Sequence, residues 1–456
     1  MKKVAIIGGG ISGLSALHFL RTRYADKCEV RLFEKENRLG GTIGTDREDG
    51  YISDWGSNGF LDKVPLTLDL VEEIGLTKKL ETAAPTSENR FIYRHGQLNA
   101  ISASPIKFMK SPILSLGGRL RIVTEPFRKA KRDDSDETVH SFASRRIGRE
   151  AADSLVGPMV SGIFGGDAKE LSLPACFPVM REMESQHGSL VKALIAKKRA
   201  GKSGGPAGPS GRLTSFEGGL YTIIERFEEL YGDHIRVGAE VAKIAKSSDK
   251  YTLKFETAES ETFDAVIVAS PTHVASELVS HLEESLSELL ASIPYASISV
   301  VCLGYKAEYI DRDLTGFGFL IPRSEGLRIL GSIWTSSIFR DRSPDGMVQL
   351  RTMIGGATDP QAVSLSDSEL LEIVHRELSA ILGIKNNPGY VNIFKWKRGI
   401  PQYVLGHLDK MKKLQSFGSL FPGLFFTGNS YHGVGLNDCI LRSESVVKAL
   451  YESTLS

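Results

Sequence analysis

The sequence predicts an α/β fold in which a parallel-sheet domain is interrupted by a helical block and an antiparallel-strand block. Three observations lead there. A strand, a glycine turn and a helix open the chain at VAIIGGGISGLSALHFL, and a second such element closes it at FFTGNSYHGVGLNDCI. Between them the apolar period switches from helical to alternating. The 456 residues allow about two to four domains.

Residues 2–7 read as a buried parallel strand, an apolar run ended by glycine. Residues 11–23 follow as a helix with Leu14, Leu17 and Leu20 on one side, and 29–34 return as a strand, completing a βαβ unit. NRFIYRHGQL is a hairpin turning at His95-Gly96. From 106 to 132, Arg and Lys alternate with apolar residues, and Glu125 is the one acid. Residues 136–164 and 180–199 read as helices, and AGKSGGPAGPSGR, 200–212, as a flexible loop.

GGLYTIIERFEELYG is a further helix. Strands are expected at 235–237, 241–245, 251–255, 264–271, 297–305, 318–321, 329–333, 348–354 and 391–396. Residues 366–382 form an amphipathic helix, with Ser366 as cap and Glu369 three residues on.

Composition narrows the function. The chain is 41% apolar and 24% charged with a net charge of +1, which speaks against a dedicated nucleic-acid binder. Cys28, Cys176, Cys302 and Cys439 form no CxxC pair, so neither a disulfide framework nor a zinc site is expected. His140, His187, His273 and His432 lack metal-ligand spacing, and His432, beside the C-terminal glycine element, reads as a surface-loop residue or as one that tunes a bound cofactor. The N-terminal lysines precede an apolar run too short and glycine-rich for a signal peptide. No apolar run reaches the roughly 20 residues that span a bilayer. The expected location is the cytoplasm.

Gly8, Gly10 and Gly13 make a GxGxxG pattern directly after a strand and at the start of a helix. Gly8 permits the tight turn, Gly10 lets backbone approach a pyrophosphate, and Gly13 lets the helix pack on the sheet. The helix N-terminus presents free N–H groups and the positive end of its dipole to the phosphates. Glu34 ends the second strand, where a carboxylate accepts from a ribose 2′-hydroxyl. The domain is therefore Rossmann-like.

EKENRLGGTIGT begins at Glu34 and places Arg38, Gly40 and Gly41 in the next loop. This arrangement resembles the second fingerprint of FAD-dependent, amine-oxidase-like flavoproteins, in which the Arg and the glycine pair lie along the FAD pyrophosphate. The resemblance implies that the C-terminal element, with Gly428 ending its strand and Val434, Gly435 and Leu436 starting its helix, meets the isoalloxazine edge.

GPMVSGIFGGDAKELSL, LTSFEGGLYTIIERF, LTGFGFLIPRSEGLRILGSIWTSSIFRDRSPDG and KWKRGIPQYVLGH resemble the protoporphyrinogen oxidases. The likeness covers nearly the whole chain and is greatest to the soluble Gram-positive type, which acts mainly on coproporphyrinogen III. It implies a six-electron oxidation of a porphyrinogen in haem biosynthesis. Flavin N5 accepts hydride, oxygen serves as acceptor, and hydrogen peroxide is released. No side chain is assigned as catalytic, and no metal is expected. The choice between coproporphyrinogen III and protoporphyrinogen IX stays open.

Carried over by position, Gly8, Gly9, Gly10, Ile11, Ser12 and Gly13 hold the pyrophosphate of a non-covalent FAD, and Glu34 and Lys35 its ribose side. Thr42 joins the second cradle. Gly56, Ser57, Asn58 and Gly59 match a loop passing near the flavin, Val241 a backbone position at the adenine, and Trp396 an aromatic near the flavin. Asn58 stands where mitochondrial-type relatives have Arg. For substrate, Phe317 and Leu320 match ring-contacting positions and Lys63 a basic residue near a propionate. Trp334 and Met353 are further wall candidates, and Arg94 and Lys107 further cations. The segment 106–132 has three readings: contact with a membrane or a haem-pathway enzyme, attraction of the anionic substrate, or a plain solvated face.

The expected domains are 1–75, 212–275 and 385–456 for FAD, 76–105 and 276–384 for a substrate-binding sheet, and 106–211 for a helical unit. Three rivals remain: an amine oxidase, a carotenoid desaturase and a non-enzymatic flavin- or tetrapyrrole-binding partner. Against an amine substrate, Trp396 is followed by Lys397 rather than a flavin-bonding Cys, and Gly433 to Leu436 offer no aromatic cage.

Overall fold

The computed structural model describes residues 1–102, 111–199 and 211–455. Five parallel strands form the sheet expected from the two chain ends. Their order is Ile235–Arg236, Cys28–Phe33, Lys2–Ile7, Ala265–Val268 and Leu424–Phe426. Runs such as VAII and AVIV are apolar on both sides because both faces of this sheet are covered. One face packs against helices, among them Ile11–Arg23, Thr222–Tyr231 and Leu436–Leu450. The other packs on an antiparallel three-stranded sheet, Val241–Ser247 with Lys250–Phe255 and Glu261–Phe263, and on the helices Thr272–Val279 and Glu284–Ala291.

Helix Ile11–Arg23 is buried from Ile11 through Leu20 on every side, not only along the Leu14, Leu17 and Leu20 face. The C-terminal helix covers the side that its polar residues would otherwise turn to water. His18 is accommodated there by Tyr231 Oη at 2.8 Å and a Glu73 carboxylate oxygen at 2.6 Å.

A seven-stranded sheet forms the second layer system. Its order is Tyr390–Pro401, Tyr295–Lys306, Met347–Gly355, Ile329–Trp334, Gly318–Leu320, Arg90–Arg94 and Gln97–Ile101. All neighbours are antiparallel except Gly318–Leu320 with Arg90–Arg94. His95 and Gly96 turn the last hairpin with φ of 56° and 73°, the left-handed pair such a two-residue turn requires. The strand Tyr390–Pro401, which a boundary at 385 gives to the FAD unit, is bonded along its length to Tyr295–Lys306 and is an edge of this sheet.

Helix Asp367–Leu382 covers one face of the seven-stranded sheet, and its Ser366–Glu369 capping box is formed as read from sequence. Strand alternation puts Arg90, Ile92, Leu320, Ile333, Arg351 and Met353 together on the opposite face. That face looks toward the segment 51–58 and the helical block.

The two long helices expected in the helical block are each divided at a glycine. Val139–Ile147 stops at Gly148 (φ 95°), and the chain resumes at Arg149 and reaches Phe164 through a π-type stretch, Ala152–Val156. Pro178–His187 stops at Gly188 (φ 67°) before Leu190–Arg199. Both glycines take positive-φ conformations that side chains rarely adopt, so the helical pattern continues in sequence while the axis changes. Residues 136–138 precede the first helix, and Thr138 bridges to Ser172.

Glu125 does not dilute the surface charge of the segment 106–132. It is fully buried, paired with buried Arg146 and bonded to Ser189 Oγ and the N–H groups of Leu190 and Val191. It thus caps helix Leu190–Arg199 from within the core. Lys107 and the loop residues 200–210 lie outside the described residues.

Candidate active site

The site is built where the two glycine-led helices meet. Gly8 (φ 112°) turns the chain after the first strand so tightly that a Cβ would lie 3.0 Å from the Ala269 carbonyl. A Cβ on Gly13 would stand 2.0 Å from the Gly8 oxygen, so helix and turn touch through backbone alone. At Gly10 a Cβ would meet nothing within 4 Å, and no side chain caps the helix that starts there. An uncapped helix N-terminus behind an open glycine is what a phosphate requires.

The second glycine pair joins this turn directly. Gly40 N–H donates to the Gly9 carbonyl at 2.8 Å, and Gly10 and Gly40 form a parallel bridge. Gly41 (φ 57°) places its Cβ position 3.5 Å from Gly10 Cα. Arg38 holds the pair from the side by donating to the carbonyls of Leu39 at 3.0 Å and Gly41 at 2.7 Å. Its guanidinium lies over the Trp55 ring at 4.4 Å. Here Arg38 shapes the cradle through backbone rather than projecting from it. Thr42 is exposed, and its carbonyl lies against Gly56.

Glu34 is buried at the end of its strand. One carboxylate oxygen accepts the Gly9 N–H at 2.6 Å and the other the Glu36 N–H at 2.9 Å. Its backbone carbonyl accepts from Ala239, which brings Val241 alongside. Lys35 remains largely exposed.

The C-terminal element enters from the edge strand Leu424–Phe426, and its helix lies on the same face of the sheet as Ile11–Arg23. Gly428 (φ 136°) ends the strand, and Gly435 begins helix Leu436–Leu450 with the Asp438 carboxylate accepting its N–H at 3.1 Å. Val434 packs with the helical block. His432 corrects the surface-loop reading: it is half-buried, and burial, reinforced by Arg442 and His407, pushes its pKa down to about 4, which leaves it neutral. Burial raises Asp438, and the nearby Lys63 charge draws it partly back. Lys63 therefore stands next to the C-terminal element, with the Gly211 turn packed on its stem.

Of the substrate candidates, Leu320 and Met353 share the site face of the seven-stranded sheet. Leu320 packs toward the helical block and Met353 toward Tyr51 and Tyr390. Phe317 lies under the Arg90 guanidinium at 5.0 Å. Trp334 is a correction: it is 0% exposed and packs on the opposite face against Phe91 and Phe319, so it is a core residue. Counting by strand parity would have placed it there. Arg94 is also corrected, because it is mostly buried and faces Glu150 at 3.6 Å.

Two groups escape a reading by motif. Arg90 sits on the site face beside Phe317, a position given by the same alternation that fixes Leu320. Arg351 is 4% exposed and donates to the carbonyls of Asp54 and Gly56. An arginine inside a strand carries no local signal that it will be buried.

A glycine-turned Rossmann unit, a second glycine cradle bonded to it and a C-terminal helix joined to the first have the build of a nucleotide-binding redox protein. The family model for flavin-containing amine oxidoreductases matches residues 11–450, so the chain belongs to that family and is a flavin-dependent oxidoreductase. Coproporphyrinogen III oxidase of Bacillus subtilis (strain 168) is 31% identical, over 98% of this chain and 97% of its own. The mitochondrial protoporphyrinogen oxidase of Nicotiana tabacum is also 31% identical, over 96% of this chain and 92% of its own. A crystal structure from Exiguobacterium sp. 255-15, provisionally described as a protoporphyrinogen oxidase, superposes with a TM-score of 0.85 at 25% identity, covering 98% of both chains.

Proposed function

We propose that the chain is an FAD-dependent, oxygen-using porphyrinogen oxidase of haem biosynthesis. It oxidises coproporphyrinogen III to coproporphyrin III, or protoporphyrinogen IX to protoporphyrin IX, with release of hydrogen peroxide. The observation that carries the reading is a single face. It has Leu320 and Met353 as apolar wall, Phe317 and Arg90 at one margin, and the flavin-loop segment 54–59 above it. Such a face suits a flat apolar macrocycle with anionic substituents.

The bound FAD supplies the two-electron acceptor, used three times for six electrons. The chain's own residues bind and orient. Gly10 admits the pyrophosphate to the uncapped helix end. Glu34 is fixed by two backbone donors on the ribose side. Trp396 is followed by Lys397, and Cys439 lies inside the fold beneath Ser12, so the FAD is held without a covalent bond.

Aerobic turnover of coproporphyrinogen III and protoporphyrinogen IX side by side, read by porphyrin fluorescence and peroxide, tests the reading. Fluorescence and peroxide from either substrate are expected. A flavin-loaded protein silent with both would overturn the proposal.

The reading of 106–132 as a membrane-facing segment rests on a stripe of side chains. Leu116, Leu120 and Val123 share one side of helix Leu116–Val123, and with Phe127 in the turn that follows they are 75%, 62%, 54% and 86% exposed, beside Arg128, Lys129 and Arg132. Apolar residues flanked by cations suit an anionic lipid surface. Among the described residues no helix is long and apolar enough to cross a membrane. Co-sedimentation with anionic vesicles is expected and should be lost in Leu120→Glu/Phe127→Glu. Equal sedimentation of the two proteins would remove the stripe from the interface.

A further inference from the structure

The segment Asp54–Gly59 has an unusual division of hydrogen bonds. Four of its six carbonyls, those of Asp54, Trp55, Gly56 and Gly59, are taken. Arg351 donates to the oxygens of Asp54, at 3.3 Å, and Gly56. Trp396 Nε1 donates to the Trp55 oxygen at 3.1 Å, and Ser57 Oγ to the Gly59 oxygen at 2.9 Å. Past the Trp55 N–H, which donates to the Gly44 carbonyl at 2.8 Å, its backbone donors are free. The N–H groups of Gly56, Ser57, Asn58 and Gly59 meet no acceptor among the described residues. Trp55 Nε1 and Asn58 Nδ2 are buried without a partner. Buried donors without partners are rare in folded proteins, and these two, beside a run of half-exposed N–H groups without acceptors, mark a place for a ligand rich in acceptors.

The segment is also held rigid. The Trp55 indole lies between the Arg38 guanidinium at 4.4 Å and the Phe394 ring at 5.0 Å. Below it, Arg351 is inside the protein, and both of its bonds end on carbonyls rather than on a carboxylate. The Asp54 carboxylate is engaged elsewhere, by Thr45 Oγ1 at 2.6 Å and Leu220 N–H at 3.0 Å.

We propose that Arg351 is a positioning residue that, with Trp396, orients Asp54–Gly59 as a surface of donors facing the isoalloxazine, and that its charge favours the reduced cofactor. The inference rests on the FAD oxidase reading. The acceptor edge of a flavin becomes more negative on reduction, so fixed donors and a nearby cation bind the reduced form better than the oxidised one. The planar guanidinium fork fixes two carbonyls in one geometry, which a freely rotating ammonium holds less rigidly.

The test uses the purified flavoprotein and Arg351→Met. FAD content should stay at the wild-type level. The equilibrium constant for two-electron reduction should fall tenfold, about 30 mV in midpoint potential. kcat should fall at least tenfold with KM unchanged, and exchange of the Trp55 amide, which donates to the Gly44 carbonyl, should quicken in the apoprotein. Arg351→Lys should recover the potential but not kcat, separating charge from geometry. A flavin-loaded Arg351→Met at the wild-type potential overturns the inference. If that variant does not fold, Trp396→Phe carries the test: it frees only the Trp55 carbonyl, and unchanged exchange and kcat there equally overturn it. A wild-type chain that neither carries nor takes up flavin fails differently, by removing the oxidase reading itself.

Discussion

Ser443 donates its hydroxyl to the Ser12 carbonyl at 2.8 Å, joining two helices whose residues stand 431 positions apart. The same hydroxyl lies 3.1 Å from Thr427 Oγ1, on the strand exit of the C-terminal element. Both ends of the chain are thereby fixed to one another beneath the glycine turns. A long two-part cofactor needs backbone approach at two places, and this contact sets the distance between them.

The glycines of the first turn should separate by function. Gly10→Val adds a side chain to open space, so the variant should melt within a degree or two of wild type yet purify colourless. Gly13→Ala drives a methyl into the Gly8 carbonyl and should cost about 3 kcal/mol or more. Thermal melts and the ratio of flavin to protein absorbance check both. A yellow Gly10→Val protein would detach the cofactor from this turn.

Lys63→Ala should raise KM for the porphyrinogen about fivefold, the scale of one solvent-accessible charge pair, with FAD content unaltered. Removing the lysine also leaves Asp438 without the charge that opposes its burial. Steady-state kinetics on protein of measured flavin content decide the matter, and unchanged KM takes Lys63 out of the site.

Trp334 and Met353 should part in the same way. Trp334→Ala empties a fully buried position and should destabilise by about 3–5 kcal/mol, with activity per folded molecule preserved. Met353→Ala, on the site face, should mainly raise KM. Denaturant unfolding paired with kinetics distinguishes the two.

Glu81 provides a pH dependence. Burial, aided by neighbouring Asp341, pushes its carboxyl up to about 7 from an ordinary 4.5. The folded state therefore keeps a proton that the unfolded chain has released. This favours the folded state fully below the unfolded value, and the advantage is lost as pH rises through about 7. Melting temperature should fall between about pH 5 and 8 in the wild type and fall less in Glu81→Gln. Parallel slopes would assign the dependence to another group.

Much of the fold was legible because its signals are local. The apolar run ended by Gly8, the His95-Gly96 turn and the Ser366–Glu369 box each fix backbone within a few residues, and the structure has all three. The helical block was less legible. Its apolar period runs on through Gly148 and Gly188, and only their left-handed conformations reveal that the axis turns.

The sequence by itself determined the glycine turns, the acid at the end of the second strand and the family to which those patterns belong, since spacing along one strand–turn–helix is a property of adjacent residues. The tertiary structure decided which way side chains face and what they meet. Arg38 turns to brace its own loop, Trp334 falls on the far side of its sheet, Glu125 goes inside to meet Arg146, and Arg351 reaches the carbonyls of Asp54 and Gly56. Apart from the brace by Arg38, which reaches only its own loop, these outcomes depend on contacts between segments tens to hundreds of residues apart, and burial and pairing at that range leave no mark in the local pattern.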